Sequence, residues 1–180
     1  MKRFATVAIM VLACAILVAL GAQNPPPAPT PGPEVKKLDY FAGDWKSEGT
    51  LKPGPMGPGG KVTETTHREW MPGGFFLVDH TKVSSAMENS TLVGIFGYDT
   101  NAKVYTFDEY GSDGETVHAK GAVSGDTWTW NSDEAMGGQT MHGRFTVKIT
   151  SPTTYSFKFE IQPEGGSWST IVEGTSTKTK

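Results

Sequence analysis

Two histidines and a carboxylate come first, because imidazole and carboxylate groups are common ligands for zinc and similar divalent ions. His67, Glu69 and His80 lie in residues 62–84, a stretch that folds back on itself around Pro72-Gly73-Gly74. In a hairpin with an even-numbered loop, His67, Glu69, Val78 and His80 share one face, with the imidazoles opposite or diagonal. A register slip of one residue separates them. Thr63, Thr65 and Lys82 share that face too, so a solvated exterior is the preferred reading and a metal site the weaker one. The other face carries Arg68, Trp70, Leu77 and Asp79. Pointing inward, Arg68 and Asp79 form a costly buried charge pair that could anchor a polar ligand. A rim salt bridge explains the same residues more cheaply.

Asp108, Glu109, Asp113 and Glu115 invite comparison with the paired carboxylates of glycoside hydrolysis. They flank Tyr110-Gly111-Ser112-Asp113-Gly114, a turn signal, and acids at turns are mostly structural. The chain has no G-x-S-x-G elbow, phosphate-cradling loop or H-E-x-x-H helix, and no serine or threonine has an identifiable base. The residues therefore name no catalytic group and call for no cofactor.

Aromatic side chains are spread over almost every apolar stretch. Trp70, Phe96, Tyr105, Trp128, Trp130, Phe145, Tyr155, Phe157 and Phe159 either fill a dry core or line a cavity for a small apolar molecule. The cavity is the expectation. Lys148, Lys158 and Glu160 fix the solvent side of their strands, because they would not be buried unpaired. Phe145, Val147, Tyr155, Phe157 and Phe159 are thereby turned inward. Trp128 and Trp130 share one side of their strand, and inward is expected, since two exposed tryptophans would make an unusual apolar patch.

The elements that must position these groups are strands. After Gly43 the pattern has period two, in short runs separated by Gly, Pro, Asn and Asp. The clearest hairpin, residues 92–110, puts two apolar-rich runs around Asp99-Thr100-Asn101. About ten strands with short links predict an antiparallel up-and-down barrel, because a meander this long buries its edges best by closing. One short helix precedes them over residues 33–43, with Val35, Leu38 and Phe41 on one face.

The N-terminus reads as an export signal. Lys2 and Arg3 precede an apolar run over residues 4–20, and Ala19, Gly21 and Ala22 suit a signal peptidase. Residues 1–22 are thus a leader, 23–33 a proline-rich linker, and 34–180 the barrel domain. The expected location is periplasmic or secreted, with no membrane insertion after cleavage; a retained signal anchor or a lipoprotein acylated at Cys14 is the alternative. Cys14 is the only cysteine, so the processed chain would have neither disulfide nor cysteine-ligated metal. The formal charge of −3 offers no basic stripe, which argues against a nucleic-acid partner. Oligomeric state is left open by the sequence.

Several segments carry a resemblance. Gly43-Asp44-Trp45, opening the first strand after a short helix, resembles the G-x-W signature of lipocalin-like (calycin) barrels. Residues 38–45 (LDYFAGDW), 71–78 (MPGGFFLV) and 94–105 (GIFGYDTNAKVY) resemble the bacterial domain of unknown function 1579 family in order and spacing. The resemblance implies a lipocalin-like barrel and no established activity. The chain departs from true lipocalins: no arginine follows Arg144 to pack on the signature tryptophan. It is also similar in outline to haem-binding barrels of the nitrobindin type, yet it lacks their histidine near the C-terminus, having none after His142. The functional expectation is an exported module that binds a small hydrophobic or amphipathic molecule in its barrel. The alternatives are a hydrolase or isomerase using the same cavity, and a partner-binding domain with a filled barrel.

Overall fold

The structure, a computed structural model, describes residues 27–54, 57–86, 89–136 and 138–180. The leader over residues 1–22, with Cys14, and the first part of the linker lie outside the described residues. Among the described residues no helix is long and apolar enough to cross a membrane.

Ten antiparallel strands close into an up-and-down barrel, each pairing with its sequence neighbour and the last with the first. They are β1 (Gly43–Leu51), β2 (Gly60–Trp70), β3 (Leu77–Ser85), β4 (Asn89–Asp99), β5 (Val104–Gly111), β6 (Thr116–Ser124), β7 (Thr127–Met136), β8 (Gln139–Ser151), β9 (Thr154–Pro163) and β10 (Ser169–Lys178). Closure removes the exposed strand edges of an open ten-strand meander. The 92–110 hairpin forms as expected: Asp99 Oδ1 accepts the backbone N–H of Asn101 at 2.8 Å and of Ala102 at 3.0 Å, and Lys103 completes the turn at φ 57°.

The helix differs from the sequence reading, and two further details lie just outside the strands. The helix is one α-helical turn, α1 (Pro33–Lys36), running into a 3₁₀ turn over Lys37–Phe41. Tightening to 3₁₀ still buries Val35, Leu38 and Phe41 together, and it ends with the Ala42 N–H donating to Asp39 O at 3.2 Å. Phe75 and Phe76 belong to the β2–β3 turn, where the Met71 N–H reaches Phe76 O at 2.9 Å. Trp168 precedes the final strand and lies outside the barrel, its ring 4.0 Å from the Arg144 guanidinium carbon.

The helix plugs one end of the barrel. Phe41 stacks edge-on against Trp128 at 5.2 Å, the Trp45 indole donates to Phe41 O at 2.8 Å, and the Tyr40 hydroxyl ties the turn to Thr154 O at 2.9 Å. Leu38 of the same turn joins Trp45, Leu77, Tyr105, Trp128, Tyr155 and Phe157 in a buried apolar plug. Lys148 and Lys158 lie outside, as does Glu160, which is buried beneath Arg144 and Lys158 at 2.9 Å from each.

Candidate functional site

Above the plug, toward the end of the barrel away from the helix, the interior hollows into a cavity of about 360 Å³. Strand register divides its wall into two sides. On one side a single row of residues runs across four strands: Arg68 faces Asp79, Asp79 faces Gly94, and Gly94 faces Glu109. Antiparallel partners share a face, so all four point into the barrel. On the other side a second row pairs Trp130 with Phe145, Phe145 with Phe159 and Phe159 with Val172. The result is an ionic wall facing an aromatic wall.

Gly94 makes the ionic row possible. A Cβ there would come within 2.7 Å of the Phe107 ring and 3.2 Å of Asp79 Cβ, so only glycine leaves room for Phe107 to lie beside the acids. Gly121 plays the same part across the barrel, where a Cβ would meet the Trp130 indole at 2.6 Å. Phe107 stacks on Phe96 at 4.4 Å and continues the apolar lining to the cavity floor.

The charges of the ionic wall are unequal. Arg68 Nε donates to Asp79 Oδ2 at 2.6 Å, and its guanidinium lies 5.7 Å from the Phe96 ring centre. Asp79, 3% exposed, also accepts from Thr81 at 2.5 Å, and Thr81 shares a 2.7 Å hydrogen bond with Thr66. Burial would weaken the Arg68 charge, but the Asp79 and Tyr155 oxygens outweigh it and hold the guanidinium firmly protonated. That pair is satisfied. Glu64 and Glu109 are in excess over it. Burial pushes the Glu109 carboxyl up to about 7, with the negative charges of Asp79 and Glu64 adding to the rise. The Glu64 carboxyl is raised chiefly by burial, and Arg68 and a hydrogen bond from Ser47 offset part of this. Glu115 joins the lining beside these groups. A neutral Glu109 beside ionised partners can donate a hydrogen bond or give up a proton near neutrality.

The sequence candidates divide between these regions. Phe96, Trp130, Phe145, Phe159, Arg68 and Asp79 line the cavity. Tyr105, Trp128, Tyr155 and Phe157 are buried in the plug, and Trp70 packs at its edge with its indole N–H on Asp39 at 2.9 Å. His67 and His80 are direct cross-strand partners, with Glu69 on the same outer face. His67 Nδ1 is engaged by Asp44 Oδ1 at 2.6 Å, and that hydrogen bond raises the imidazole's affinity for its proton. Among the described residues no three His, Cys, Asp or Glu side chains are grouped to hold a metal. A broader hollow on the outer surface, lined in part by His118, Asp133 and His142, is an open groove with His118 held by Asp108 at 2.6 Å and His142 by Asp133 at 2.7 Å.

Glu64 and Glu109 are the residues the sequence reading missed. Glu64 shares the two-residue alternation of Val62, Thr66, Arg68 and Trp70, a signal present but unused. Glu109 looked like a turn acid, yet β5 continues through it to Gly111 and turns it inward.

Comparison with known proteins agrees with this architecture. The sequence profile of a family described as "Protein of unknown function (DUF1579)" matches residues 30–178. The chain belongs to this family. No curated protein matches it. Among solved structures it is similar to the crystal structure of Rv2717c from M. tuberculosis, with a TM-score of 0.60 at 12% identity, covering 83% of this chain and 99% of that one. At that identity the likeness concerns the fold alone. Membership of the DUF1579 family accounts for the LDYFAGDW, MPGGFFLV and GIFGYDTNAKVY segments, which respectively form the plug and β1, the β2–β3 turn, and the central hairpin.

Proposed function

We propose that this DUF1579 domain is an exported, lipocalin-like binding module that holds a small amphipathic molecule inside its barrel. One observation carries the reading: an interior cavity of about 360 Å³ with an aromatic wall facing an ionic wall. Pockets for small molecules combine a mainly apolar lining with a few orienting polar groups, and a barrel filled for structural reasons would close this space. The G-x-W placement of Trp45 beneath the helix supports the lipocalin-like grouping. The leader pattern supports export, and N-terminal sequencing of the native protein should find a start near residue 23; a retained Met1 or a lipid on Cys14 would count against it.

Binding is tested with a neutral, environment-sensitive naphthyl probe such as N-phenyl-1-naphthylamine. Saturable enhancement of its emission, with quenching of Trp130, is expected. Absence of saturable binding by the folded protein, to this probe or to alkyl amphiphiles, overturns the reading.

A second reading is favoured by Glu109. A carboxyl pushed up to about 7 by burial and by the charges of Asp79 and Glu64 is suited to general acid–base work on a hydrophobic substrate. A turnover whose pH profile breaks near 7, and loses that break in Glu109→Gln, would support an enzyme.

A further inference from the structure

Resting on the binding reading above, we propose that the molecule held in the barrel is an organic cation, an ammonium or amidinium group on an apolar body, with its charge received between Glu64 and Glu109. Glu64, Asp79, Glu109 and Glu115 line the cavity, and Arg68 is the one cation among the described lining residues. Asp79 is committed to Arg68 by the 2.6 Å bond from Nε and to Thr81 by a second. Glu64 and Glu109 flank that neutral pair with no positive partner in the wall. Both are half-buried, and carboxylates drawn out of water are normally paired or bound to a cation, because leaving them ionised without a partner there is costly. A proton on Glu109 relieves part of the strain, in keeping with its raised affinity for one. An incoming cation relieves more.

The opposite wall decides what kind of cation. Trp130, Phe145 and Phe159 line the cavity opposite the acids, with Phe96 and Phe107 beside them, and aromatic rings stabilise both an apolar body and a positive charge placed over a ring face. An inorganic divalent ion would use none of this surface, and no three carboxylates of the described residues are grouped around one point.

The test compares octylamine, octanol and octanoate at pH 7.5, by calorimetry and by displacement of N-phenyl-1-naphthylamine. The amine should bind at least about tenfold more tightly than the alcohol, and the carboxylate most weakly. Amine binding should release protons, seen as an enthalpy that varies with the ionisation heat of the buffer. Glu109→Gln and Glu64→Gln, which preserve side-chain shape, should each reduce the preference, and the double variant should abolish it while retaining octanol binding. If all three bind alike, or the carboxylate binds best, the cation assignment is overturned and the binding reading survives. If calcium or magnesium displaces the amine at comparable concentration, the site is inorganic and the assignment is again overturned. If none of the three binds and the naphthyl probe is not retained, both readings fall.

Discussion

Trp45 and Lys178 are cross-strand partners in the seam that closes the barrel, and the Lys178 ammonium lies 5.4 Å from the centre of the Trp45 indole. The sequence lacks the late arginine that packs on the signature tryptophan of lipocalins, and in this fold a lysine from the last strand covers the ring instead. Lys178 also reaches Tyr40 O at 3.4 Å, linking strand, helix and plug at one point. Trp45 is 2% exposed, so the contact is desolvated on the indole side.

Trp45→Ala should therefore lower stability by about 3–5 kcal/mol, as large-to-small core changes do. Lys178→Met should cost less, about 1 kcal/mol, because its methylenes are kept and only the cation–π contact is lost. Urea midpoints of the two variants check both the size and the order.

Breaking the Arg68–Asp79 pair should be worse than removing it. Arg68→Met leaves Asp79 buried and uncompensated among further carboxyls, and a loss of about 3–5 kcal/mol is expected. Arg68→Met with Asp79→Leu should recover much of that. A double-mutant cycle by chemical denaturation reads the coupling directly.

Gly94→Ala tests the ionic row. The added Cβ meets Phe107 at 2.7 Å and must displace the ring toward the cavity, at a cost of about 1–3 kcal/mol. Reduced capacity for the naphthyl probe should accompany the lost stability. An unchanged midpoint and unchanged binding would refute the close packing at this row.

Stability should fall as pH rises toward neutrality. The Glu109 carboxyl titrates near 7 in the folded chain and near its ordinary 4.5 when unfolded. Between those values the folded chain retains a proton that the unfolded chain has released, so each step up in pH favours unfolding. The contribution present below about 4.5 is lost through about 7, on the order of 2–3 kcal/mol. Glu64, also raised, acts in the same direction. Glu160 has the opposite sign: burial works against it, but Lys158 and Arg144 hold it below its ordinary value, so its effect falls at lower pH. Thermal melts at pH 5 and pH 8 should show the decline in the native sequence and a smaller one in Glu109→Gln.

The amino-acid sequence by itself determined which way the side chains of the most regular strands face and that the strands close in sequential order. Facing is local: with a period of two, Lys148 and Lys158 on one side of a strand oblige Val147 and Phe157 to take the other. Sequential order follows from links too short for any crossover. The shared faces of His67 with His80 and of Arg68 with Asp79 were legible on the condition of an even-numbered loop, and the structure fixes each as a direct cross-strand pair. What the sequence did not determine is height along the barrel and neighbours across it. Trp128 and Trp130 have the same pattern and burial, yet one lies in the plug and the other in the cavity wall. Glu109 gains its meaning from Gly94 and Asp79, one and two strands away, and Lys178 finds Trp45 only when the last strand meets the first. These relationships are decided by closure and by the stagger accumulated over ten strands, which no short window of sequence contains.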